Sequence, residues 1–297
     1  MLTRIGDVEI WRVLEGDDAL MPLARFFPGL TAEALAPHRA ALVPHGIAPH
    51  PETGEDWIRL PVQAFLLRTP RRTILVDACV GDDKTVPHLP RWHRRKDPRF
   101  MAALAAAGAG PEDVDLVLCT HLHVDHVGWT TRWTADHWVP TFPNARVLTT
   151  AADLAFAEER ARLDPEGAAG RVFAETLGPL IAADLIDTVE PDHQPDEAVR
   201  LRSTPGHTPG HVSVEILASG APEALVTGDF IHSPLQCALP DLSPAPDADK
   251  AEAASTRRGM LEELAETRRL TLATHFPLPS IGRVARAGAA FAWIPLD

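Results

Sequence analysis

Short apolar runs alternate along the chain with longer stretches of mixed polarity, and the two patterns predict different elements. Residues 8–15 (VEIWRVLE), 62–69 (VQAFLLRT) and 72–79 (RTILVDAC) are rich in β-branched and aromatic side chains and predict strands, the last two joined by a tight Pro-Arg-Arg connection. Residues 100–110 (FMAALAAAGAG) predict a helix that stops at glycine, followed by a proline-led turn and a strand within 111–120 (PEDVDLVLCT). The alternation continues with a strand at 145–150, a helix at 151–163 (AADLAFAEERARL), strands at 199–207, 211–219 and 224–230, a long helix at 247–268 and a strand at 269–275. Adjacent strand pairs interleaved with βα units predict an α/β fold of mixed sheets covered by helices on their outer faces. No stretch is composed as a long linker, so residues 1–297 predict a single domain. Residues 21–57 stand apart: MPLARFFPGL and HGIAPHPETGEDW mix Pro, Gly, His and aromatics, which predicts an irregular surface segment serving as a lid or pocket wall.

Composition narrows the class. A formal net charge of −13 disfavours nucleic acid and anionic membrane partners. No apolar run approaches the ~20 residues that span a bilayer, and the N-terminus lacks the pattern of a signal peptide. The three cysteines, Cys79, Cys119 and Cys237, are widely spaced and form no CxxC pair, which suits buried thiols in a reducing compartment. A cytoplasmic protein acting on a small molecule is the expectation, and homodimer formation stays open.

Candidate chemistry is concentrated in THLHVDHVG, residues 120–128, directly after the apolar DLVLC. On an extended chain His121 and His123 point to one side, and a turn or helix start after His123 would bring Asp125 and His126 back together. Gly128 eases that bend. Imidazole nitrogens and carboxylate oxygens suit Zn²⁺ and related cations. Any one histidine is better read as a solvated or core residue, but four ligand-type residues in six positions are not. His207, Asp229 and His275 also follow apolar strands, and strand ends meet at one edge of an α/β sheet. Seven such residues can divide between two ions. His38, His45, His50, His88, His93, His137 and His193 lie in polar or Pro-rich stretches and read as solvated. Of the tryptophans, Trp129 is the candidate to line a pocket.

HLHVDHVG, TPGHTPGH, TGDF and THF, in this order and spacing, resemble the metallo-β-lactamase superfamily over most of the chain from about residue 60. GDFIHSPLQ and ATHFPLPSIGRV look most like the branch containing methyl parathion hydrolase and N-acyl homoserine lactonases. The resemblance implies an αββα sandwich with a dinuclear metal site, most often zinc, with iron, manganese or cobalt as alternatives. Carried over by motif, His121, His123 and His207 would bind the first ion, Asp125, His126 and His275 the second, and Asp229 would bridge them. Asp77 resembles an aspartate that orients a ligand histidine, and His211 reads as structural.

Two cations sharing a water would produce a bridging hydroxide at neutral pH, which fits hydrolysis of small, mostly apolar esters or lactones, with phosphotriesters as the alternative substrate class. No GxSxG and no activated cysteine supports covalent catalysis. A metal-binding redox or sensor protein is the reading of another class; the complete ligand set argues against it. Homoserine lactonases have a tyrosine beside the metals, and this chain contains no tyrosine. His232, three residues beyond Asp229, is the nearest titratable candidate for a proton donor in its place.

Overall fold

A computed structural model describes residues 1–43 and 45–296. The chain begins with β1 (Thr3–Ile5), β2 (Val8–Pro22), α1 (Leu23–Phe26), α2 (Ala32–Leu42), β3 (Ile47–Pro49), β4 (Asp56–Arg68) and β5 (Thr73–Val76). Then come α3 (Arg99–Ala106), β6 (Leu116–Leu118), α4 (Val124–Val127), the hairpin β7 (Thr131–Thr134) and β8 (His137–Pro140), β9 (Arg146–Thr150), α5 (Ala151–Leu163), α6 (Ala168–Glu175), α7 (Leu177–Ala182) and β10 (Ile186–Val189). The remainder supplies β11 (Val199–Ser203), β12 (Val212–Ala218), β13 (Ala221–Val226), α8 (Leu235–Ala238), α9 (Lys250–Thr267), β14 (Leu270–Leu272), β15 (Ile281–Ala287) and β16 (Ala290–Pro295).

Two mixed sheets form. The first has the order β1-β2-β4-β5-β6-β9-β10 with β3 on β4, and the second runs β11 to β16 in sequence order. Strands that read as continuous apolar runs are buried on both faces, and their side chains divide between layers. Phe65, Leu67, Ile74 and Val76 meet Val212, Val214, Val226 and Leu272 between the sheets. Leu66, Leu75, Val117 and Val147 pack outward against Phe100, Leu104 and Leu177. On the far side Leu225, Ala273 and Val284 pack under Met260, Leu261 and Leu264 of α9. The result is the αββα sandwich expected from the sequence. No helix among the described residues is long and apolar enough to cross a membrane.

Residues 21–57, Pro44 aside, are more regular than their composition suggests. β2 runs on through Pro22 by taking two register shifts against β4, between Leu14 and Gly16 and between Ala19 and Met21. Thr31 caps α2 by accepting the Ala34 N–H at 3.2 Å. Leu23, Phe26, Phe27, Leu42 and Ile47 then pack together over Ile58 and Leu60 of β4.

Topology decides where side chains can collect. β5, β6, β9 and β10 are parallel, as are β13 and β14, and β11 reaches the same edge as β13 through antiparallel β12. Asp77, the 120–128 segment, His207, Asp229 and His275 all follow the C-terminal ends of these strands. The loop after β5 is fastened by Lys84, a fully buried side chain. Its Nζ donates to the Thr131 carbonyl and hydroxyl oxygens at 3.1 and 2.9 Å and lies 3.5 Å from the centre of the Trp138 ring. Burial pushes its pKa down to about 7. The unfolded chain, with an ordinary lysine near 10.4, therefore holds the extra proton between these values, and stability rises with pH across that window by up to about 1.4 kcal/mol per pH unit. Lys84→Met is expected to flatten this rise, measured as unfolding free energy in urea at pH 7.5 and pH 9.5. An unchanged pH slope would show that Lys84 stays charged in the folded state.

Candidate metal centre

β6 is buried between β5 and β9, so the chain leaving it emerges at the middle of the sheet edge. Cys119 N–H still bonds the Leu148 carbonyl at 2.9 Å, and Val212 N–H bonds the Thr120 carbonyl at 2.9 Å, tying the two sheets together. His121 and His123 follow, His123 on extended backbone, and α4 starts immediately after His123, turning Asp125 and His126 back toward them. This turn docks on the loop after β5: Ala78 N–H bonds His126 O, and the Gly128 and Trp129 N–H groups bond Cys79 O and Ala78 O, all at 2.7 Å. The glycine at 128 answers a need for space rather than for an unusual bend. Its φ is an ordinary −58°, but a Cβ there would lie 1.7 Å from Val80 O.

The donor atoms converge in two sets. His121 Nε2 and His207 Nε2 each lie 3.0 Å from His123 Nδ1. Around the second set, His126 Nε2 and His275 Nε2 are 3.4 Å apart and stand 3.8 and 3.7 Å from Asp125 Oδ2. Asp229 spans both: Oδ1 lies 3.1 Å from His275 Nε2 and 3.3 Å from His126 Nε2, while Oδ2 lies 3.4 Å from His207 Nε2 and 3.7 Å from His121 Nε2. Asp229 Oδ1 is buried, yet no donor approaches it in hydrogen-bonding geometry. A proton on His123 Nδ1 can be donated to only one of the two nitrogens facing it at a time, whereas a divalent cation satisfies all three. The donor set thus fits metal ions.

Electrostatics agree with that fit in the three-histidine set. Burial holds His121 and His207 well below the ordinary histidine pKa and His123 at about 3, so these rings are neutral and present lone pairs. Burial is the largest single influence on His126 and His275 and lowers both, but the neighbouring carboxylates together, Asp229 first, raise them. Desolvation alone would raise Asp229; the surrounding histidines, His126 first, hold it far below the usual carboxylate range.

Three of the rings are aimed from behind. His126 Nδ1 meets Asp77 Oδ2 at 2.9 Å, and the other Asp77 oxygen accepts the Thr120 N–H at 2.8 Å. His207 Nδ1 meets Asp247 Oδ1 at 2.9 Å, and His275 Nδ1 donates to the Pro61 carbonyl at 2.8 Å. Such contacts fix tautomer and ring direction. His211 has a scaffold role: its Nε2 accepts the Asp229 backbone N–H at 2.7 Å, and Nδ1 donates to the Thr204 carbonyl at 3.0 Å. His232 Nε2 sits 3.0 Å from Asp229 Oδ2, with the ring stacked parallel to His275, and its buried Nδ1 has no partner.

The donors open into a cavity of about 500 Å³. Met21 and Phe26 line it from the N-terminal segment, Leu89 and Trp92 from the loop after β5, and Phe156 and Val172 from α5 and α6. Phe27, beside Phe26, is fully buried and packs away from the cavity. The expectation for Trp129 is overturned. It does not line the cavity but stacks on Phe100 with ring centres 5.1 Å apart and donates to Glu15 Oε1 at 2.6 Å. Trp92 takes the lining position. Sequence reasoning also missed Asp247, which reads as part of a helix-start cluster (PDADK) and meets His207 from forty residues away.

Residues 57–273 match the metallo-beta-lactamase superfamily. Similar proteins include an N-acyl homoserine lactonase of Bacillus cereus, 27% identical over 196 residues that cover 61% of this chain and 68% of that protein. The N-acyl homoserine lactonase AttM of Azorhizobium caulinodans is 27% identical over 207 residues, covering 64% and 72%. Among solved structures, AidC, a dizinc quorum-quenching lactonase in complex with a hexanoyl-homoserine product, superposes with a TM-score of 0.81 at 21% identity, covering 99% of this chain and 96% of that one. The hydrolase AbOPH, described as belonging to the beta-lactamase superfamily, superposes with a TM-score of 0.77 at 26% identity and the same coverage.

Proposed function

Because the chain belongs to the metallo-beta-lactamase superfamily and is a metal-dependent hydrolase of ester bonds, we propose that it opens acylated lactones, of the kind its homoserine lactonase relatives are named for, at a site of two divalent metal ions. The observation that carries the reading is Asp229, which turns one oxygen to each of two donor sets on the floor of an apolar cavity. His121, His123 and His207 hold one ion, Asp125, His126 and His275 the other, and Asp229 both. Zinc suits this mixture of nitrogen and oxygen donors. When bound, such ions acidify a water for attack and polarise the acyl oxygen.

The chain's own residues do the rest. Met21, Phe26, Leu89, Trp92, Phe156 and Val172 exclude water from the acyl tail and orient it. His232 is held at Nε2 by Asp229, which leaves the Nδ1 lone pair to take the proton that the attacking water releases and pass it to the departing alkoxide. His232→Asn is therefore expected to cost about 100-fold or more in kcat on an alkyl ester or lactone, and far less on a p-nitrophenyl ester of the same acyl size, whose leaving group needs no proton. Equal losses on the two substrates would remove His232 from the chemistry.

The overall test pairs elemental analysis with turnover of acyl lactones, aryl esters and phosphotriesters. Two ions per chain and the highest kcat/KM on a lactone are expected. Saturation at one ion would overturn the dinuclear site, and a preference for phosphotriesters would overturn the substrate class.

A further inference from the structure

The largest fully buried side chain among the described residues is a charged one, Arg257 in α9. Burying a guanidinium is costly unless every donor is met, and here the donors are met in a particular pattern. Nε donates to the Phe230 carbonyl at 2.9 Å, next in sequence to Asp229. Nη1 donates to the carbonyls of Pro240 and Leu242 at 2.7 and 3.1 Å, and Nη2 to Asp247 Oδ2 at 3.1 Å. The other Asp247 oxygen meets His207 Nδ1 at 2.9 Å. The backbone repeats the connection: the N–H groups of Ala248 and Asp249 bond the carbonyls of His207 and Gly206 at 3.0 and 2.9 Å. Gly206 in turn lies so close to the first turn of α9 that a Cβ there would meet Ala253 N at 2.2 Å.

We propose that Arg257 and Asp247 are a buried positioning pair that sets the metal affinity of the His121, His123 and His207 set independently of the other set. The inference rests on the ligand assignment proposed above. Its basis is the separateness of the supports. His207 is aimed by a carboxylate whose second oxygen is fixed to a guanidinium on α9, so the imidazole faces an oriented anionic acceptor. His126 and His275 are aimed from elsewhere, by Asp77 and by the Pro61 carbonyl in the first sheet. The sets share Asp229 and the Thr120 hydroxyl, which lies 3.2 Å from His121 Nδ1 and 3.0 Å from Asp77 Oδ2, but Asp247 hydrogen-bonds His207 alone among the ligand histidines. Weakening that support therefore loosens one ion.

The test measures both zinc affinities by competition with a chromophoric chelator, together with Tm, in the full chain. Asp247→Asn preserves shape and is expected to weaken one ion by about 10- to 100-fold while the other stays within about threefold. Arg257→Met should act on the same ion, with Arg257→Lys recovering part of the loss. Asp77→Asn should weaken the other ion. In a His123→Ala background, where the three-histidine set is already broken, Asp247→Asn should leave the remaining ion's affinity unchanged. Equal weakening of both ions by Asp247→Asn, or no change in either, would overturn the proposal even if Arg257→Met fails to fold. A wild-type chain that binds one ion only would instead overturn the dinuclear reading beneath it.

Discussion

Asp125→Ala is expected to lower kcat/KM by roughly 1,000-fold or more, beyond the 10- to 100-fold typical of residues that merely support a ligand, while leaving Tm within a few degrees. The Asp125 carboxylate faces the cavity in the first turn of α4, close to His126 and His275. The backing contacts run through Asp77, Thr120 and Pro61 instead, so truncating Asp125 leaves them in place. Kinetics, zinc content and a thermal melt on one preparation decide the matter. Near-normal turnover with full metal occupancy would remove Asp125 from the site, and global unfolding would mean that the metal set is mainly structural.

Gly128→Ala is expected to destabilise the fold by about 3 kcal/mol or more and to weaken metal binding with it. The new Cβ would meet Val80 O at 1.7 Å and Val80 C at 2.0 Å, and backbone cannot rotate aside as a side-chain tip can. Relief requires the turn 124–128 to lift from the loop after β5, breaking the 2.7 Å bonds that seat His126. At about 2–4 °C per kcal/mol for a chain of this size, Tm should fall by at least ~6 °C. Gly259→Ala gives the opposite sign: it lies inside α9 with open space around its Cβ position, and removing glycine from a helix interior should add about 0.5–1 kcal/mol. Equal melting temperatures for the two variants would mean that the contact at Val80 relaxes without cost.

Much of this arrangement was readable because its determinants are local. The helix 151–163 forms with the bounds its pattern predicts, capped by Thr150 accepting the Asp153 N–H at 3.2 Å. The HxHxDH segment needed only a strand end and a helix start, and both are present. The failures came where neighbours in sequence part in space. Trp129 adjoins the histidine motif, but the turn after α4 sends it to Phe100 and Glu15 on the outer face of the first sheet. Asp247 shows the converse. Its helix-start composition carries no sign of a partner, because the contact with His207 exists only once α9 has docked. The segment 21–57 misled through its prolines: Pro22 ends β2 and Pro37 sits inside α2 without stopping it.

Met21 and Phe26 lie upstream of residue 57, where the superfamily match begins, yet both line the cavity, and the Phe26 ring meets His232 edge-on at 5.5 Å. His121, His123, Asp125, His126, His207 and Asp229 lie inside the matched stretch. Leu89, Trp92, Phe156 and Val172 lie inside that stretch as well, so one part of the cavity wall, not the whole of it, is encoded apart from the donors. A variant library confined to residues 20–27 would vary which acyl groups are admitted while leaving the metal-facing donors in place. On the proposed reading, the part of selectivity that rests on this segment is open to retuning without rebuilding the reaction.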